Sequence, residues 1–204
     1  MVSSLPASVR WFAAALAVAA VLTAQSQRTA DLGMGKLLVS PRKSPDPSFA
    51  QSVILLLHYD KESALGLMIN RRTTVPIGRV LRDFNGLAQR SDVMYLGGPV
   101  ERDSAMALVR AGAKPDGSTA VAGRIYLVIE RQALQKALSA ARNSSDLRIY
   151  AGYCGWGPGQ LDNETRLGGW FIFNRGAELA FDGNPDTIWP KLIAEAEADI
   201  AMLR

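Results

Sequence analysis

A chain of 204 residues, 48% of them hydrophobic and 21% charged, can bury a core of its own without metal or disulfide support. Its 23 basic and 19 acidic residues leave a formal net charge of +4, too small and too interleaved to argue for a nucleic-acid surface. Cys154 is the single cysteine, so an internal disulfide is excluded and cysteine usage does not fix the compartment.

The first segment reads as a targeting element. Arg10 precedes an uncharged run, Trp11 to Ala24, rich in Ala, Val and Leu. That run is shorter than the about 20 apolar residues of a spanning helix and has the length of a signal-peptide core. Ala24-Gln25-Ser26 offers small residues for cleavage after Ser26. The pattern predicts an exported (periplasmic) or membrane-tethered protein, with membrane contact only through this leader; the alternative is a cytoplasmic domain with an uncleaved extension. Residues 1–34 are set apart as leader and linker, and 35–204 as the folded domain.

From there the elements follow in order. Lys36 to Ser40 reads as a short strand stopped by Pro41, and Arg42 to Ala50, with two more prolines, as an ordered loop. Ser52 to Tyr59 is a continuous apolar run suited to a buried strand, joined by a short polar connection to a second at Ala64 to Asn70. Thr74 and Pro76 predict a helix cap and first turn, with Ile77, Val80, Leu81 and Phe84 at helical spacing and a stop at Asn85-Gly86. Strands are predicted at Val93 to Leu96, Ala105 to Arg110 and Ile125 to Ile129, with Ala111 to Gly123 as a turn-rich connection. A helix spans Arg131 to Arg142, with Leu134 and Leu138 on one face, and a strand spans Leu147 to Gly152. Gly169 to Asn174 and Glu178 to Phe181 read as a hairpin around Arg175-Gly176, and Asn184-Pro185 opens a last helix through Met202. Strands outnumber helices without strict alternation, which predicts an α+β fold with a mixed or antiparallel sheet. The expected core is Leu38, Val53, Ile54, Leu56, Leu67, Ile69, Ile125, Leu127, Ile149 and Trp170.

The densest unusual stretch runs from Gly152 through Tyr153, Cys154, Gly155, Trp156, Gly157, Pro158, Gly159 and Gln160 to Leu161. It reads as a glycine loop after a strand, with Gly155 or Gly159 at positive φ and Pro158 starting a short helix through Arg166. Such a loop can present backbone N–H groups to an anion, although the spacing matches neither a phosphate-binding loop nor a dinucleotide fingerprint. The bland reading of the same residues is a tight turn with Trp156 packed as core.

This stretch resembles the signature of the YqgE/AlgH family of bacterial proteins. Gly35-Lys36-Leu37-Leu38-Val39-Ser40-Pro41, Asp46 to Val53, Ala64 to Arg71 and Gly97-Gly98-Pro99-Val100 resemble further family motifs in the family's order, and Gly169-Trp170 and Trp189 fit its C-terminal pattern. The resemblance implies an α+β fold whose curved, bifurcated sheet forms a partial barrel flanked by helices. It implies no established enzyme activity; members are often labelled as transcriptional regulators, and the family name refers to alginate synthesis. Two departures stand out: the leader, and Cys154 where the family pattern has Ala.

Three functional classes follow. The first is a non-enzymatic binding or regulatory module without cofactor, for an unidentified protein or small molecule, using Asn70, Arg71, Gly97, Gly98, Pro99, Tyr153, Gly155, Trp156, Gly159 and Gln160 as one surface at strand ends. The second is a thiol-dependent enzyme using Cys154 with His58, the single histidine. The third is a DNA-binding transcriptional regulator, although no helix-turn-helix, zinc finger or basic helix is evident. One His and one Cys among scattered acids lack metal-ligand spacing. Asp162 and Glu164, two carboxylates on one short helix, are expected to be solvated. The binding module is the preferred reading.

Overall fold

The computed structural model describes residues 31–87, 90–141, 144–174 and 176–202. The expected leader at Trp11 to Ala24 with cleavage after Ser26 lies outside them, as do Arg142 and Arg175. Among the described residues, no helix is long and apolar enough to cross a membrane.

Among the described residues, ten strands form one sheet: β1 (Leu37–Val39), β2 (Val53–Tyr59), β3 (Ala64–Met68), β4 (Arg72–Pro76), β5 (Val93–Leu96), β6 (Val100–Arg110), β7 (Ser118–Ala122), β8 (Ile125–Val128), β9 (Leu147–Trp156) and β10 (Phe171–Phe173). The helices are α1 (Ile77–Val80), α2 (Arg131–Ala140), α3 (Gln160–Arg166), α4 (Leu179–Asp182) and α5 (Ile188–Met202). The strand order is β10-β1-β2-β3-β9-β6-β8-β7, with β4 and β5 on a side branch. Every pairing is antiparallel except β5 with β9. The sheet curls into a half-barrel, so the fold is the α+β architecture expected.

The branch forms on β9. One edge of β9 pairs with β6 from Leu147 to Tyr153. The other edge pairs first with β5, at Tyr150 and Ala151, and then with β3, from Cys154 to Trp156. Gly97 sits at the changeover: its N–H donates to the Ala151 carbonyl and its carbonyl accepts from the Met68 N–H, both at 2.8 Å. At the same level Gly152 adopts φ +67°. Its effect shows in the side-chain alternation. Ile149 faces the outer layer and Tyr150 the inner one, so the strand period of two puts even-numbered residues inside. Beyond Gly152 the phase is reversed, and Cys154 and Trp156 face outward while Tyr153 packs inward.

The concave face holds Leu37, Leu55, Leu67, Leu108 and Tyr150, covered by α4 and by the Ile188, Trp189, Leu192 and Ile193 side of α5. The convex face carries two separate clusters. One lies under α1 and α2, and the other around Leu38, Ile54, Leu56, Trp156 and Trp170. All ten expected core residues are buried. The reason is plain in β2, whose unbroken apolar run is covered on both sides.

Several local expectations are corrected. Thr73 to Pro76 belong to β4, where the Thr73 hydroxyl donates to the Met94 carbonyl at 2.6 Å, and the expected helix is reduced to the single turn of α1. The turn-rich connection contains a strand, β7, whose flanking glycines Gly117 and Gly123 take φ of 70° and 53°. The expected second strand of the last hairpin is the helix α4. There the N–H groups of Leu179, Ala180 and Phe181 bond to carbonyls three residues back, and Ala180 and Phe181 enter the concave core. The glycine stretch continues β9 as far as Trp156.

Because β2 is buried on both faces, Ile54→Ala and Leu55→Ala, which remove contacts from opposite layers, are each expected to cost about 2–5 kcal/mol. Val80→Ala, at a half-exposed position, is expected to fall within about 0.5 kcal/mol of the parent. Denaturant midpoints check this; a neutral effect of either β2 substitution would contradict the two-sided burial.

Candidate functional site

The ten residues expected to share one surface differ in exposure and in role. Gly97 and Gly98 are buried, and their role is steric. A Cβ on Gly97 would lie 2.3 Å from the Gly152 carbonyl oxygen, and one on Gly98 2.1 Å from that of Tyr153. Asn70 and Arg71 are half-buried braces. The Asn70 amide accepts from the Val53 N–H and donates to the Gln51 carbonyl, both at 2.9 Å, while Arg71 donates to the Ala50 carbonyl at 2.6 Å. Gln51 takes φ 55°, a strained value for a side-chain-bearing residue, and the Asn70 bond helps hold it there. Pro99, Gly155, Gly159 and Gln160 are exposed, and Tyr153 is half-buried with its hydroxyl 3.3 Å from Glu101. Gly159 has the expected positive φ of 66° and caps α3; Gly155 does not.

The braces fix the loop from Pro41 to Gln51, and this loop places Phe49 on the outer layer. Phe49 stacks on Trp156 with ring centroids 6.4 Å apart and meets Trp170 edge-on at 5.6 Å, while the two indoles cross at 6.2 Å. Gly66 on β3 lets β2 approach closely: a Cβ there would lie 2.5 Å from the Ile54 Cγ2 and 3.0 Å from the Leu55 carbonyl oxygen. Sequence reasoning missed the group that ties this cluster together. Glu164 on α3 accepts from both indoles on one oxygen, at 3.0 Å from Trp156 and 2.8 Å from Trp170, and from the Gln160 amide on the other at 2.9 Å. Its neighbour Asp162 accepts from the Tyr59 hydroxyl at 2.8 Å, and burial, with that bond second, pushes the Tyr59 phenol up to about 12. The two carboxylates are therefore partnered, contrary to the expectation that both are solvated. The legible signal was the pairing of Gln160 and Glu164 four residues apart, one helical turn, after a tryptophan. Beside the cluster opens a cleft of about 350 Å³, bordered by Lys43, Asp46, Phe49, Gln160, Glu164 and Trp170 among others.

Cys154 and His58 are not brought together. Cys154 is fully buried, its thiol donates to the Gly97 carbonyl at 3.4 Å, and burial pushes its pKa up to about 12. His58 has a half-exposed side chain and contacts Asp60 at 2.9 Å. The Asp60 carboxyl is held below its usual range chiefly by the backbone N–H groups of Ser63 and Glu62. Among the described residues no group of three or more His, Cys, Asp or Glu could hold a metal ion. Nor is the expected anion-presenting loop free: the Gln160 side chain accepts from the Gly157 N–H at 3.2 Å.

The model of the AlgH-like family matches residues 37–201. The chain belongs to the AlgH-like family. Among curated relatives, a UPF0301 protein of Streptomyces coelicolor is 38% identical over 175 residues, covering 83% of this chain and 89% of the relative. A UPF0301 protein of Mycobacterium tuberculosis is 32% identical over 174 residues, covering 83% and 85%. The solution structure of the AlgH protein from Pseudomonas aeruginosa has the same fold, with a TM-score of 0.64 at 24% identity over 83% of this chain and 91% of that one. A crystal structure of a Corynebacterium diphtheriae protein gives 0.60 at 24% identity, over 74% and 80%. The family match begins at the first strand and ends in α5, so this member's sheet, both convex clusters and the aromatic cleft fall within the matched region.

Removing the Glu164 carboxylate leaves two indole N–H groups without their acceptor, and each such loss costs about 1–3 kcal/mol. Glu164→Ala is expected to lower stability by about 2–4 kcal/mol and to shift both indole N–H resonances. Glu164→Gln, which keeps an acceptor of the same length, should lose less. Equal stability of Glu164→Ala and the parent in denaturant would remove the clamp from the account.

Proposed function

We propose that this AlgH-like protein is a non-enzymatic binding module that uses the Phe49–Trp170 cleft to hold a flat apolar group of a small molecule or of a partner protein. The observation that carries the reading is that the wall of the cleft is organised in advance: the Glu164 carboxylate pins Trp170 and the Trp156 ring packed against it, and Asn70 and Arg71 hold the loop that supplies Phe49. A rigid aromatic surface loses little entropy on binding. The volume lies at the low end of the about 300–1,000 Å³ of small-molecule sites, with a few polar groups at the rim for orientation. Thiol chemistry is disfavoured because a nucleophilic cysteine needs a thiolate near neutral pH, and the Cys154 pKa is pushed up to about 12. Export or tethering through the leader would place this binding surface outside the cytoplasm.

Titration of the full-length protein with indole and phenol, read on indole N–H resonances, tests the reading. Saturable shifts are expected at Trp170 and at the Gln160 side-chain amide. Leu167→Arg, at the exposed rim of the cleft, should weaken them about fivefold or more. Cys154→Ala should bind like the parent, and the parent thiol should resist iodoacetamide at about pH 8. Probe shifts that spread elsewhere, or that Leu167→Arg leaves unchanged, would refute the cleft. Rapid alkylation of the folded protein, with loss of binding in Cys154→Ala, would restore the thiol reading.

A further inference from the structure

On the far side of the branch from the aromatic cleft, the first half of β9 carries Arg148. This residue is only 9% exposed. Its guanidinium lies over the Tyr95 ring at 5.0 Å and the Phe181 ring at 5.6 Å, and Nη2 donates to the Phe181 carbonyl at 2.8 Å. Its Nε and Nη1 are buried and have no hydrogen-bond partner among the described residues. Tyr150 is a close neighbour: burial pushes its phenol up, and the Arg148 charge together with a side-chain interaction with Arg148 partly offsets this, although the hydroxyl makes no well-aligned hydrogen bond among the described residues. Arg90 is similarly placed, with a side chain 9% exposed. Its Nε donates to Asp92 at 2.7 Å and its Nη1 to the Leu138 and Ala141 carbonyls at the end of α2, at 3.2 and 2.6 Å. Its Nη2 is buried without a partner among the described residues.

These two arginines border one cavity of about 400 Å³, together with Arg72, Ser91, Asp92 and Ser144. Three arginines therefore border it against one carboxylate among the described lining residues, and that carboxylate is engaged by Arg90. A guanidinium cannot shed its proton, so the usual escape of a buried charge into its neutral form is closed. Each buried donor left without an acceptor costs about 1–3 kcal/mol. Three such nitrogens lie on two arginines that border one cavity, where a bound anion would supply acceptors. The planar fork of arginine matches the oxygens of a phosphate, and the surplus of two positive charges matches a phosphate monoester, which carries about −1.5 to −2 at neutral pH.

We propose that this cavity binds the phosphate group of a small molecule, with Arg148 and Arg90 as buried donors and Arg72 at the mouth. The site is built from β4, β5 and the start of β9 and shares no residue with the aromatic cleft, so either proposal can fail alone.

Inorganic phosphate is the first probe, titrated into the full-length protein at constant ionic strength and read on arginine Nε–H resonances. Saturable shifts of Arg148 and Arg90 are expected with an apparent Kd of about 1–10 mM, the affinity of a small fragment. Arg72→Gln, an exposed position, should weaken binding about fivefold or more and leave the melting temperature in chloride unchanged. Arg148→Lys, which keeps the charge and loses the fork, should weaken it further; if it fails to fold, the parent and Arg72→Gln decide the matter. Three results would overturn the proposal: an unmoved Arg148 resonance at saturating phosphate, parental affinity in Arg72→Gln, or unsaturable shifts spread over surface cations. Acetate acting as well as phosphate would overturn the assignment to phosphate.

Discussion

At Gly152 the backbone of β9 takes φ +67°, and Gly97 and Gly98 approach it so closely that none of the three has space for a Cβ atom. A Cβ on Gly152 would lie 2.6 Å from the Val100 carbonyl oxygen and 2.8 Å from that of Gly98. This knot lets one strand serve two sheet segments. The edge of β9 that begins paired with β5 ends paired with β3, and the positive φ resets which side chains point outward. With the phase unchanged, Cys154 and Trp156 would face the concave core already filled by α4 and α5. A single-residue shift in a strand moves every following side chain to the other face, and a glycine at positive φ is the economical way to make it.

The aromatic cleft depends on this reset, while the arginine cavity lies on the unshifted side of it. Arg148 comes from the segment of β9 before the kink and reaches a cavity between β5 and the end of α2. Trp156 comes from the segment after it and reaches the outer layer under Phe49 and α3. The two binding surfaces are thus fixed relative to each other by one continuous strand paired along both edges. Cys154 fits the same scheme. Its small side chain fills the convex cluster next to the knot, and its thiol donates to the carbonyl of Gly97. The smaller alanine would fit the same space.

Strand identity was legible wherever burial on both faces writes a continuous apolar run, as in β2, β3 and β8. It failed where the strand is mostly exposed. In β7 only Ser118 and Val121 are buried, and the turn residues around it dominate the local signal. In β4 no residue is buried, so Thr74 and Pro76 read as a cap. The glycine stretch read as a loop because glycine is usually punctuation, whereas here Gly152 and Gly155 lie within a paired strand. For the cleft, Trp156 and Gln160 were legible as unusual, but Glu164 read as a solvated carboxylate because its partners Trp156 and Trp170 meet it only after folding. The arginine cavity was illegible for the same reason: Arg72, Arg90 and Arg148 are far apart in sequence, and their shared shortage of acceptors is a property of packing alone.

The most direct test of the knot compares three glycine-to-alanine substitutions by equilibrium unfolding. Gly152, Gly159 and Gly168 all have positive φ, but an added Cβ meets close backbone atoms only at Gly152; at the other two nothing lies within 4 Å. Gly159→Ala and Gly168→Ala isolate the backbone strain and should each cost about 1–2 kcal/mol. Gly152→Ala adds the steric conflict and should cost at least about 2 kcal/mol more than either, with the indole N–H resonances of Trp156 and Trp170 displaced. Equal losses at the three positions, with both indole resonances in place, would contradict the claim that the close approach at Gly152 organises the sheet.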